Sequence, residues 1–122
     1  MEEEELTEKI IGCAMKVHSV LGPGFLESVY AKALAHELRK TGLTVAQQQG
    51  ATVRYDGVVV GENTVDLLVE GTIIVELKAI KALDSAHTAQ CLNYLKATGL
   101  HLCLLLNFGK PRLEIQRIAH RL

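Results

Sequence analysis

The chain has 122 residues, 48% of them hydrophobic and 22% charged, and a formal net charge of −1. That length supports one domain, residues 1–122, around a single core, and the apolar fraction excludes a disordered chain. No apolar run approaches the roughly 20 residues of a membrane span, the acidic Glu2 to Glu5 start is unlike a secretory signal, and the bulk charge lends no attraction to a polyanion.

Leu6, Ile10, Cys13, Val17 and Leu21 recur at three- and four-residue intervals and predict a helix over 6–21, its amino end favoured by the preceding acids. Gly22-Pro23-Gly24 breaks it. A second helix over 25–41 sets Leu26, Val29, Tyr30, Leu34 and Leu38 on one side and closes at Gly42. From Val45 to Val60 the pattern turns strand-like, with a hairpin turn at Asp56-Gly57. Two apolar strands follow at 64–69 and 73–80, split by Glu70-Gly71-Thr72, then a helix over 84–98 stopped by Gly99. His101 to Asn107 and Leu113 to Ile118 complete an α/β chain of order ααβββαββ, with a central mixed sheet flanked by helices.

Cys13, Cys91 and Cys103 match no disulfide, zinc or iron–sulfur spacing and read as small buried side chains in a reducing compartment, the cytoplasm. Cations gather at Lys110, Arg112, Arg117 and Arg121 and at Lys32, Arg39 and Lys40. A nucleic-acid role therefore needs a local basic face, an oligomer or a divalent metal.

Chemistry concentrates where apolar strands carry isolated charges. Ile73 to Ile80 is apolar throughout except at Glu76 and Lys78, which share a face because strand side chains alternate. The strand before it holds a single acid, Asp66. A hairpin centred on Gly71 sets Asp66 opposite Glu76, where like charges repel and a buried carboxylate needs a counter-charge. Lys78 and a divalent metal both answer that need, so a structural ion pair and a metal site stand as alternatives. Glu27 opens the second helix, with Tyr30 one turn on. Gln90 and Tyr94 are i,i+4 neighbours on the third helix, with His87 a turn earlier.

The set Gly24, Glu27, Tyr30, then Asp66, then Glu76-x-Lys78, then Gln90-xxx-Tyr94 resembles the GxxExxY proteins, a RecB-like branch of the PD-(D/E)xK nuclease superfamily. The similarity runs from about Leu6 to Ile118 and includes Leu92-Asn93-Tyr94-Leu95-Lys96-Ala97-Thr98-Gly99 and Leu104-Leu105-Leu106-Asn107-Phe108-Gly109. Val65 stands where the superfamily's name has proline. The resemblance implies a restriction-endonuclease-like core and metal-dependent hydrolysis of DNA or RNA. It also implies Mg²⁺ or Mn²⁺ on Asp66, Glu76 and the Leu77 carbonyl, with Glu27 holding a metal-bound water or a second ion. Lys78 orients the attacking water and stabilises developing charge, and Gln90 and Tyr94 position phosphate or support the inner residues. Superfamily habit further implies a homodimer. The alternative function is a non-catalytic nucleic-acid-binding or assembly module on the same fold.

Overall fold

The computed structural model describes residues 1–121. Its elements run α1 (Glu3–Leu21), α2 (Glu27–Lys40), β1 (Val45–Tyr55), β2 (Val58–Val69), β3 (Ile73–Lys78), α3 (Ser85–Thr98), β4 (Leu102–Asn107) and β5 (Glu114–Ala119). The five strands lie side by side in chain order. All neighbours are antiparallel except β3 and β4, which are parallel and joined by α3 as the crossover. This is the expected ααβββαββ order.

α1 and α2 cover one face of the sheet, where Leu6, Ile10, Tyr30 and Leu34 meet Leu67, Val75, Leu77 and Leu104. α3 covers the other, packing Cys91 and Leu95 on Val65, Ile74, Cys103 and Leu105. β4 is buried along its whole length and β3 everywhere but Lys78, which is why both read as unbroken apolar runs.

The main departures from the sequence reading are at four boundaries, the rest agreeing to within one residue. α1 starts at Glu3, because Glu3, Glu4 and Glu5 suit the positive end of the helix dipole. α2 starts only at Glu27, since Gly24 takes a φ of 116° and Leu26 caps the helix in extended conformation. β2 is one strand through Gly61-Glu62-Asn63, held by an unbroken ladder from Ala51↔Asn63 to Val53↔Gly61. β3 ends at Lys78 rather than Ile80, because the buried Asn107 side chain takes over the Ile80 backbone. Its Oδ1 accepts from Ile80 N–H at 3.0 Å and its Nδ2 donates to Ile80 C=O at 3.0 Å.

The β2–β3 turn spans the three expected residues. Glu70 and Gly71 both take left-handed backbone, and Thr72 N–H closes onto Val69 C=O at 3.0 Å. The Glu70 carboxylate, held below the usual carboxylate range by hydrogen bonds from the Thr44 hydroxyl and N–H, ties this turn to the start of β1. The ladder then pairs Val69 with Ile73, Leu68 with Ile74 and Leu67 with Val75.

Candidate active site

One residue beyond Leu67↔Val75 the ladder stops, and this is where Asp66 and Glu76 stand. Each carboxylate takes over a backbone partner that the opposite strand has given up. Glu76 Oε2 accepts from Asp66 N–H at 2.6 Å, and Asp66 Oδ2 accepts from Leu77 N–H at 2.9 Å. The Leu77 carbonyl lies on the same strand edge as its N–H, so it too faces the opening between the strands.

The strands part here because the β1–β2 ribbon turns over. Leu67 and Val69 pack toward α1 and α2, whereas Val65 packs toward α3, although strand residues two apart ordinarily share a face. The slip falls at Asp66. Across the ribbon, between the pairs Gln47↔Leu67 and Gln49↔Val65, Gln48 takes a φ of 52°, a left-handed conformation that non-glycine residues rarely adopt. Nothing in the alternation of residues 45–55 marks that break, so the sequence reading missed Gln48.

Glu76 is 4% exposed, and Asp66 is half-buried. Burial, then the Asp66 charge, pushes the Glu76 carboxyl up to about 7, overcoming the Asp66 N–H and Lys78, which favour its anion; the Glu27 charge adds to the upward push. Among the described residues no ion pair joins Lys78 to either acid. Lys78 Nζ instead donates to Gln90 Oε1 on α3 at 3.3 Å. The structural ion-pair alternative is thereby corrected: the acids satisfy each other's strand backbone and leave the lysine to a neutral amide.

Glu27 is the first residue of α2 and exposed, close enough for its charge to act on Glu76. Tyr30 fixes where that helix begins. Its hydroxyl donates to Gly22 C=O at 2.5 Å and accepts from Phe25 N–H at 3.1 Å, while its ring stacks on Phe108 with centroids 4.6 Å apart. Tyr94 stands on α3 one turn beyond Gln90, half-buried, its hydroxyl pushed up by burial and then by the charges of Glu76 and Asp66. The structure therefore brings together Asp66, Glu76, Leu77, Lys78, Gln90 and Tyr94, with Glu27 at the rim. His87 serves elsewhere: its Nδ1 accepts from Asp84 N–H at 3.1 Å and its own N–H donates to Asp84 Oδ1, closing the capping box of α3.

Two residues outside the expected set also shape the site. Asn107 anchors the chain just past Lys78, and Gly109 lets it pass, since a Cβ there would lie 2.3 Å from Ile80 O. The Leu-Leu-Leu-Asn-Phe-Gly text holds both, but only the folded chain brings them against Ile80.

Among the described residues no three His, Cys, Asp or Glu side chains surround one metal-sized point. The donors that do converge, two carboxylates and one backbone carbonyl, are all hard oxygens. They fit a divalent cation such as Mg²⁺, which keeps several waters and takes its remaining ligands from substrate.

Helices on both faces of a mixed sheet whose central hairpin opens onto two acids and a lysine make the fold restriction-endonuclease-like. The sequence model of the PD-(D/E)XK nuclease superfamily matches residues 4–118, and the chain belongs to that superfamily. The fold is also similar to the crystal structure of an alkaline exonuclease (LHK-Exo) from Laribacter hongkongensis. That match has a TM-score of 0.51 and 14% sequence identity, and it covers 94% of this chain and 82% of that one. No curated protein matches the chain. No helix among the described residues is long and apolar enough to cross a membrane.

Proposed function

We propose that the protein is a divalent-metal-dependent nuclease that hydrolyses phosphodiester bonds in nucleic acid at Asp66, Glu76 and Lys78. One observation carries this reading. Two carboxylates converge where the β2–β3 ladder opens, one of them buried, and among the described residues neither is in an ion pair. A structural cluster of that cost is ordinarily paired. Asp66, Glu76 and the Leu77 carbonyl hold Mg²⁺ or Mn²⁺ in this reading, and Glu27 holds a water at the rim. The bound ion supplies Lewis-acid polarisation of the phosphate and a more acidic water. Lys78, free of ion pairing, orients the attacking water and stabilises charge growing on the phosphate oxygens. Gln90 keeps the ammonium aimed through its 3.3 Å hydrogen bond, and the Tyr94 hydroxyl donates toward the substrate phosphate. The protein acts in the cytoplasm as a homodimer; Tyr55, Val58 and Val60, 75%, 61% and 60% exposed on the β1–β2 arm, support that association.

The test is incubation of single- and double-stranded DNA and RNA with the protein in Mg²⁺, Mn²⁺ or EDTA. Cleavage is expected only with metal and is lost in both Asp66→Ala and Lys78→Ala. Cleavage that survives both substitutions would overturn the assignment. Binding of nucleic acid without cleavage in any metal would favour the non-catalytic module.

A further inference from the structure

Beside the acids lies a groove of about 1230 Å³, walled on one side by the β1–β2 arm and on the other by α3. Residues 49–54, which follow the left-handed Gln48 in β1, line it across from the helix. The helix wall stays low there, since Ala86, Ala89 and Ala97 line it. Gln90 and Tyr94 belong both to this wall and to the candidate active site, so the groove leads onto the carboxylates.

We infer that this groove is the substrate channel and that it takes a single, unpaired strand of nucleic acid. The inference rests on the nuclease reading and goes further by naming the substrate class. Its first support is charge. The chain has 14 acidic residues, yet none lines the groove, whereas Arg54 and Lys96 do, one on each wall. Among the described residues neither cation has an ion-pair partner, while Lys40, Lys110 and Arg121 are paired with Glu37, Glu114 and Glu3. Part of each basic cluster legible in the sequence is thus held in ion pairs, whereas both cations of the groove are free of them.

The second support is the chemistry between those cations. Gln49, Asn63, Gln90 and Asn93 present side-chain amides, and Tyr94 an aromatic ring, along the groove. Amides that donate and accept suit the Watson–Crick edges of bases, and a ring suits their faces; both are exposed only when the strand is unpaired. Magnitude decides against a duplex. Duplex binders that neutralise six to ten phosphates show salt slopes near −0.9 per phosphate, and two cations cannot supply that.

The test uses the full chain in EDTA, so that binding is read without cleavage. A fluorescein-labelled 12-nucleotide DNA strand and the matching 12-base-pair duplex are titrated by anisotropy from 50 to 300 mM KCl. The single strand is expected to bind at least tenfold more tightly, with a slope of log K against log salt of about −1.4, from about −0.7 for each of two phosphates. The double variant R54E/K96E, altered only at exposed positions, is expected to keep the wild-type melting temperature and lose at least tenfold in single-strand affinity. Tighter duplex binding, a slope steeper than about −4, or unchanged affinity in the double variant would overturn the inference. The two readings separate cleanly. Wild-type cleavage of single strands by R54E/K96E sinks the channel and leaves the nuclease. Groove-dependent binding with no cleavage in any metal sinks the nuclease and leaves the channel.

Discussion

Replacing Glu76 with glutamine tests the charge accounting at the centre of the site. The carboxyl stands at about 7 against an ordinary 4.5, raised by burial first and by Asp66 second. Below 4.5 the group is protonated in the folded and unfolded chains alike and costs nothing. As pH rises the unfolded chain ionises first, so stability falls until the folded carboxyl has also ionised near pH 7. At 1.36 kcal/mol per pH unit the full loss is about 3 kcal/mol, most of which falls between pH 5 and pH 8. Glu70 and Glu114, held below the usual range by hydrogen bonds from Thr44 and Asn107, lose their contributions on the acid side of that window and do not compete within it. Glutamine keeps an oxygen for the Asp66 N–H and cannot ionise. Urea unfolding in EDTA at pH 5, 6, 7 and 8 should show wild type declining and Glu76→Gln nearly level, with the variant the more stable by about 3 kcal/mol at pH 8. For a chain of this size that is a melting difference on the order of 12 °C. Mg²⁺ added at pH 8 should restore the wild type and leave the variant unmoved. A wild-type curve that is flat from pH 5 to pH 8, or a variant with the same slope, would refute the reasoning.

Three further outcomes follow from the contacts. Lys78→Met should abolish cleavage while costing less than about 1 kcal/mol in urea unfolding, because the lysine gives up one exposed hydrogen bond and its partial support of the Glu76 anion. Gly109→Ala drives a Cβ to within 2.3 Å of Ile80 O and 2.4 Å of Ile80 N, so a loss of about 2–4 kcal/mol is expected in urea unfolding, with wild-type stability as the contrary result. Tyr30→Phe removes the clasp on Gly22 and Phe25 and keeps the stack on Phe108. It should cost about 1–2 kcal/mol and lower cleavage through Glu27, and cleavage unchanged at a temperature where the variant is folded would show that the clasp does not position that acid.

What residue order alone determined was local or periodic. The helices follow from spacings of three and four, the central strands from unbroken apolar runs, and the β2–β3 register from a turn whose length sets which side chains face each other. Asp66, Glu76 and Lys78 were legible because a lone charge among aliphatics is costly wherever the strand is buried. The tertiary structure decided what those charges do. Whether Lys78 meets an acid or an amide depends on where α3 docks, and α3 is placed by the parallel crossover between β3 and β4. The turning of the ribbon at Gln48 and Asp66, beside the active site and the groove, needs backbone strain that alternation does not record. Free cations are likewise invisible in a charge count: Lys110 and Arg121 stand out in sequence yet fold against Glu114 and Glu3, while the isolated Arg54 and Lys96 come to face each other across the groove. Pairing of charges is a property of distance in space, and only the fold sets that distance.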